Sequence, residues 1–163
     1  MSEIKCYYGQ ASGACLSLDI FIPTLREYLN KVLSAIGESD AGITWYICEE
    51  KNLPDYHRDP LTKLLNEAFS SMWNLQCGRS YIPTKEIWIS TAAIMTGTSR
   101  KMGSPVLNSV MPKRREPELL VDVILDELAH IKTGLDHGNP VYDGVLRDYR
   151  DRYYDNWFPL KPI

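Results

Sequence analysis

The stretch from Glu116 to Gly134 sets the tightest limit on the fold. Leu119, Leu120, Val123, Ile124, Leu128 and Ile131 recur at helical spacing, Glu116-Pro117 opens the run, and Gly134 stands just past its end. A helix with so broad an apolar face needs a sheet or further helices to cover it. Yet its second half also carries Asp126, Glu127 and His130. Ionisable groups clustered on an otherwise apolar helix are the first sign of chemistry.

The rest of the chain supplies the covering layers. Leu25, Tyr28, Leu29, Val32, Leu33 and Ile36 predict an amphipathic helix from Pro23 to Ile36, with Gly37 as its stop. Ile43 to Cys48 is β-branched and aromatic and reads as a strand. Asp59-Pro60 opens a second helix, lined by Leu61, Leu64, Leu65, Ala68, Phe69, Met72, Trp73 and Leu75 and ending near Gly78. After a turn around Pro83, Glu86 to Ser90 alternates as a strand. Residues 91–112 are expected to form a long loop or an irregular strand pair. A last helix runs from Val141 to about Tyr154. Helices and strands mix without strict alternation, so the expected class is α+β. A length of 163 residues suits a single domain over 1–163, with an extended N-terminal arm over about 1–20 and a motif region over about 117–149.

Composition removes several function classes. The net charge is −3 and the isoelectric point about 5.6, so no global positive field draws the chain onto nucleic acid or anionic lipid. The basic cluster Lys113-Arg114-Arg115, with Arg100-Lys101 upstream, reads first as a solvated loop and second as a weak nucleic-acid contact. No apolar run approaches the roughly 18 residues of a membrane span, and no secretory signal is visible, so the expected location is the cytoplasm. Cys6, Cys15, Cys48 and Cys77 form no CxxC pair and read as small buried hydrophobes. Tyr149, Tyr153, Tyr154, Trp157 and Phe158 form an aromatic seam suited to core packing or an oligomer contact.

Asp126 and His130 are i and i+4 on the helix, and Glu127 and His130 are i and i+3, so all three project near one point. Gly134 ends the helix and lets the chain turn back with His137. Two imidazoles with carboxylates suit a divalent metal, zinc first, with a carboxylate left over as a base. Asp136 and Asp143 are substitute ligands for Asp126. The bland reading makes Asp126 and Glu127 solvated surface charges, His137 a turn residue and His57 a surface histidine.

The segment Leu125-Asp126-Glu127-Leu128-Ala129-His130, then Thr133-Gly134, then Asp136-His137-Gly138 and Pro140-Val141-Tyr142 resembles the active helix of the SprT-like minimal zincins, a family of HExxH-type zinc metallopeptidases. The likeness is best from Val121 to Tyr142, extends loosely to the strand at Ile87, and leaves the first half of the chain unmatched. It implies a minimal zincin-like domain, with zinc on His130 and His137 and Glu127 as general base. Asp126 stands where the family has its first histidine. Its carboxylate oxygen lies nearer the backbone than an imidazole Nε2 and is expected to fall short of a metal held by His130 and His137. No cysteine follows Cys77, so the family's zinc ribbon is not encoded in this stretch.

The expected function is zinc-dependent hydrolysis of peptide bonds in a protein or peptide substrate, which the strand at Glu86 to Ser90 would bind by pairing. The alternative is a catalytically degenerate zincin-fold protein that serves as a binding or structural component for a protein partner. A third option is an iron(II) site, since two histidines and a carboxylate also form a facial triad. Oligomeric state is left open.

Overall fold

The computed structural model describes residues 2–9, 17–53, 77–99 and 118–154. The second helix read at Asp59–Leu75, His57, Cys15, the basic cluster, Trp157 and Phe158 lie outside these residues.

Four strands, β1 (Glu3–Tyr7), β2 (Thr44–Cys48), β3 (Gly78–Tyr81) and β4 (Glu86–Ser90), form one mixed sheet in the order β1-β2-β4-β3. β1, β2 and β4 run parallel and β3 runs antiparallel to β4. Registers such as Ile4↔Trp45 and Trp45↔Ile87 align the inward-facing side chains across three strands. Because strand side chains alternate, Trp45, Ile47, Ile87 and Ile89 share that one face and are fully buried there.

Helix α1 (Ile22–Ile36) buries Leu25, Leu29, Val32 and Ile36, one stripe at helical spacing. It ends where Gly37 takes the left-handed conformation, and the Arg152 guanidinium donates to the Ile36 carbonyl at 2.7 Å. Helix α2 (Thr91–Ser99) follows β4 directly, with the Ala93 amide donating to Ser90 Oγ at 3.1 Å. Helix α3 (Leu119–Thr133) is buried almost all round and packs against α1, α2, β3 and the last helix, α4 (Pro140–Tyr154). The class is α+β, with a small mixed sheet and, among the described residues, four α-helices.

One expectation needs correcting here. Residues 91–99 form α2, not a loop or strand pair. Its Thr and Gly content lowers helix propensity, but Ser90 caps it and Ala93 and Ile94 are buried in the core. Gly78 opens β3, a strand too short to display a period of two and identified only by its pairing with β4. Tyr149, Tyr153 and Tyr154 are buried in the core, as core packing required. Among the described residues no helix is long and apolar enough to cross a membrane.

Candidate metal centre

Helix α3 sets the site because its buried positions include three ionisable residues, Asp122, Glu127 and His130. The helix stops at Gly134, whose φ of 68° suits glycine and whose amide donates to the His130 carbonyl at 2.8 Å. Thr133 Oγ1 donates to the Ala129 carbonyl at 2.8 Å and accepts from the Leu135 amide at 3.1 Å, so the reversal is tied at both ends. That turn returns the chain along α3 and delivers His137 beside His130.

His130 Nδ1 lies 2.8 Å from the Leu135 carbonyl. A carbonyl only accepts, so Nδ1 carries the hydrogen and Nε2 keeps its lone pair for the site. His130 Nε2 and His137 Nε2 stand 3.3 Å apart. Asp126 Oδ1 lies 3.7 Å from the first and 3.4 Å from the second. Zinc–ligand bonds of 2.0–2.1 Å at tetrahedral angles separate neighbouring donors by about 3.3 Å. The three donor atoms Asp126 Oδ1, His130 Nε2 and His137 Nε2 therefore fit one small cation, and these residues form a group able to hold a metal ion. The expected shortfall in reach does not occur: the Asp126 oxygen comes about as close to both imidazoles as they come to each other. Asp136 is fully exposed and lies 4.0 Å from Nδ1 of His130, the ring nitrogen already bonded to Leu135. Asp143 lines an adjoining cavity and is outside the donor group.

A cavity of about 400 Å³ opens on this group, lined by β3 and the following Ile82 and Pro83 on one side and by Asp126, Glu127, His130 and His137 on the other. β3 approaches α3 closely because Gly78 has no side chain. A Cβ there would meet Val123 Cγ1 at 2.9 Å and the Trp88 carbonyl oxygen at 3.1 Å. Glu127 is buried against this strand, and its Oε2 has no hydrogen-bond partner among the described residues. Burial, reinforced by the Asp126 charge, pushes its carboxyl up to about 8, against the opposing effects of Ser80 and Arg79. Burial also raises Asp126, while His137, His130 and Arg150 pull the other way. Behind Asp126, burial lifts Asp122 to about 6, although Arg150 and the Tyr154 hydroxyl favour its charged form.

The strand expected to receive a substrate needs correction as well. β4 lies between β2 and β3, so its backbone groups are already paired on both sides. Among the described residues, the edge strand beside the cavity is β3. Cys6, Cys48 and Cys77 lie outside the donor group, and burial pushes the Cys48 thiol up to about 12. Sequence spacing assigns Tyr142 no role, yet its hydroxyl donates to Asp126 Oδ1 and its ring stacks on His130 at a centroid distance of 4.5 Å. Only the docking of α4 on α3 reveals that contact.

Compared with models of known families, with characterised proteins and with solved structures, the chain finds no match.

Proposed function

We propose that the protein is a zinc-dependent peptidase of the SprT-like minimal zincin type, with Asp126, His130 and His137 as ligands and Glu127 as general base. The observation that carries this reading is the spacing of the three donor atoms, 3.3, 3.4 and 3.7 Å apart, which suits tetrahedral zinc. Bound there, zinc would supply a Lewis acid that acidifies water and polarises a peptide carbonyl.

The remaining work falls to the chain itself. The Leu135 carbonyl holds His130 in the tautomer that presents a lone pair at Nε2. Glu127, on the wall of the same cavity, takes the proton of the attacking water and passes it to the leaving amine. Glu127 would be drawn toward the carboxylate form that a base requires by a dication bound at the neighbouring donor group. An extended substrate would add to the sheet at β3, the edge strand among the described residues, with its scissile bond directed toward His130 and His137.

The rival, a non-catalytic zincin-fold binding protein, draws on one observation. Burial holds Glu127 largely protonated at neutral pH in the metal-free protein, where it cannot accept a proton. Hydrolysis of an unstructured protein substrate separates the two readings. Zinc-loaded protein that cleaves, with the activity lost on chelation and in Glu127→Gln, supports the peptidase. A zinc-loaded protein that binds such chains and leaves them intact supports the rival.

A further inference from the structure

Tyr142 touches all three of the residues assigned to the metal. It sits in the first turn of α4, where the Val141 amide donates to Asn139 Oδ1 at 2.9 Å and fixes the start of the helix. Its side chain is fully buried. The ring lies nearly parallel to His130 at 4.5 Å and 23°, and edge-on to His137 at 4.8 Å and 69°. Its hydroxyl donates to Asp126 Oδ1, the same oxygen that faces both imidazole Nε2 atoms.

An aspartate carboxylate turns freely about its last bond, and a turned Asp126 would carry Oδ1 away from the two imidazoles. A hydrogen bond from a hydroxyl on a buried, stacked ring removes that freedom. It also occupies one acceptor direction of Oδ1 and leaves the rest for a cation. In return, the buried phenol needs a polar partner, and Asp126 provides it. We infer that Tyr142 is a positioning residue of the metal site, its hydroxyl fixing Asp126 Oδ1 where the two imidazoles converge. This rests on the metal reading above. It also gives Asp126 a means of serving at a position where the resembled family has a longer histidine.

The test is zinc affinity of the full-length, chelator-treated protein, measured by competition with a chromophoric chelator, alongside the visible spectrum of the cobalt(II) form. Tyr142→Phe keeps the ring and loses the hydroxyl. Its zinc affinity is expected to fall about 10–100-fold, the usual effect of removing the partner of a metal ligand, with a changed cobalt spectrum. The double variant Asp126→Ala/Tyr142→Phe leaves no buried carboxylate without its donor, so it remains informative if the single variant does not fold. It is expected to match Asp126→Ala within about twofold, because the hydroxyl acts only through Asp126. A purely structural role would weaken both backgrounds alike.

Unchanged affinity and spectrum in Tyr142→Phe would overturn the inference. So would a double variant much weaker than Asp126→Ala. A phenolate-to-copper charge-transfer band in the copper(II) form, lost in Tyr142→Phe, would overturn it too, by making Tyr142 a ligand. Wild-type protein that takes up no zinc would bring down the metal reading and this inference together. Wild-type uptake with an indifferent Tyr142→Phe would bring down this inference alone.

Discussion

Nε2 of His130 and Nε2 of His137 face each other at 3.3 Å, one from the end of α3 and the other from the loop that follows it. With Nδ1 giving its hydrogen to Leu135, the neutral His130 ring presents a lone pair at Nε2. A proton on His137 or a shared cation is then needed to make that approach favourable, and the nearby Asp126 oxygen favours either.

Replacing the proposed base should separate chemistry from metal binding. Glu127→Gln is expected to lower peptide hydrolysis by about 10²–10⁴-fold while zinc content stays at the wild-type level. Peptide turnover and metal analysis on the same preparation check it. Loss of zinc in this variant would place Glu127 among the ligands.

Asp126→His restores the motif of the resembled family, but Tyr142 now governs the outcome. The phenol hydroxyl lies against the Asp126 carboxylate, where a larger side chain needs room. Zinc affinity is expected to gain little from Asp126→His alone and about tenfold or more from Asp126→His/Tyr142→Phe relative to that single variant. Competition titrations of the variants check this; a full gain from Asp126→His alone would show that Tyr142 imposes no restriction.

Gly78 governs how close β3 comes to α3. Gly78→Ala drives a Cβ against Val123 and the Trp88 carbonyl and is expected to cost about 1–3 kcal/mol. Urea denaturation measures it. The proposed zinc ligands all lie on the other side of the cavity, so zinc affinity should change far less than stability.

The metal-free protein should lose stability as the pH rises from about 4 to about 8. Asp122 has a folded pKa raised to about 6 and an unfolded value of about 4, so between those pH values the native state binds the extra proton. Stability then falls with rising pH, by on the order of 2–3 kcal/mol for this group. Glu127, raised to about 8, extends the fall to higher pH. Urea midpoints in the presence of chelator trace the curve, and Asp122→Asn should flatten its acidic half.

How far these features can be read from residues alone depends on whether they are local. Helices α1 and α3 combine apolar periodicity with a glycine stop, at Gly37 and Gly134, and both are visible without coordinates. α4 shows a similar period, and Asp126, His130 and His137 could be brought together from helix spacing and one turn. β3 could not, because it is defined by hydrogen bonds to β4 rather than by its own pattern. α2 was hidden by Thr and Gly, residues poor in helix propensity whose burial against α3 outweighs that preference. The burial of Glu127 beneath Gly78 and the reach of Tyr142 to Asp126 are contacts between elements distant in sequence, which no local spacing encodes.

His137 offers the cleanest test of the central claim, because its side chain is 65% exposed and truncating it removes a proposed ligand with little loss of packing. Chelator-treated wild-type protein and His137→Ala are titrated with zinc by calorimetry, with the melting temperature of each metal-free protein as the folding control. The account predicts one zinc per wild-type chain and an affinity at least about 100-fold weaker in a His137→Ala protein that melts as the wild type does. No zinc uptake by the wild type, or equal uptake by both, would contradict it.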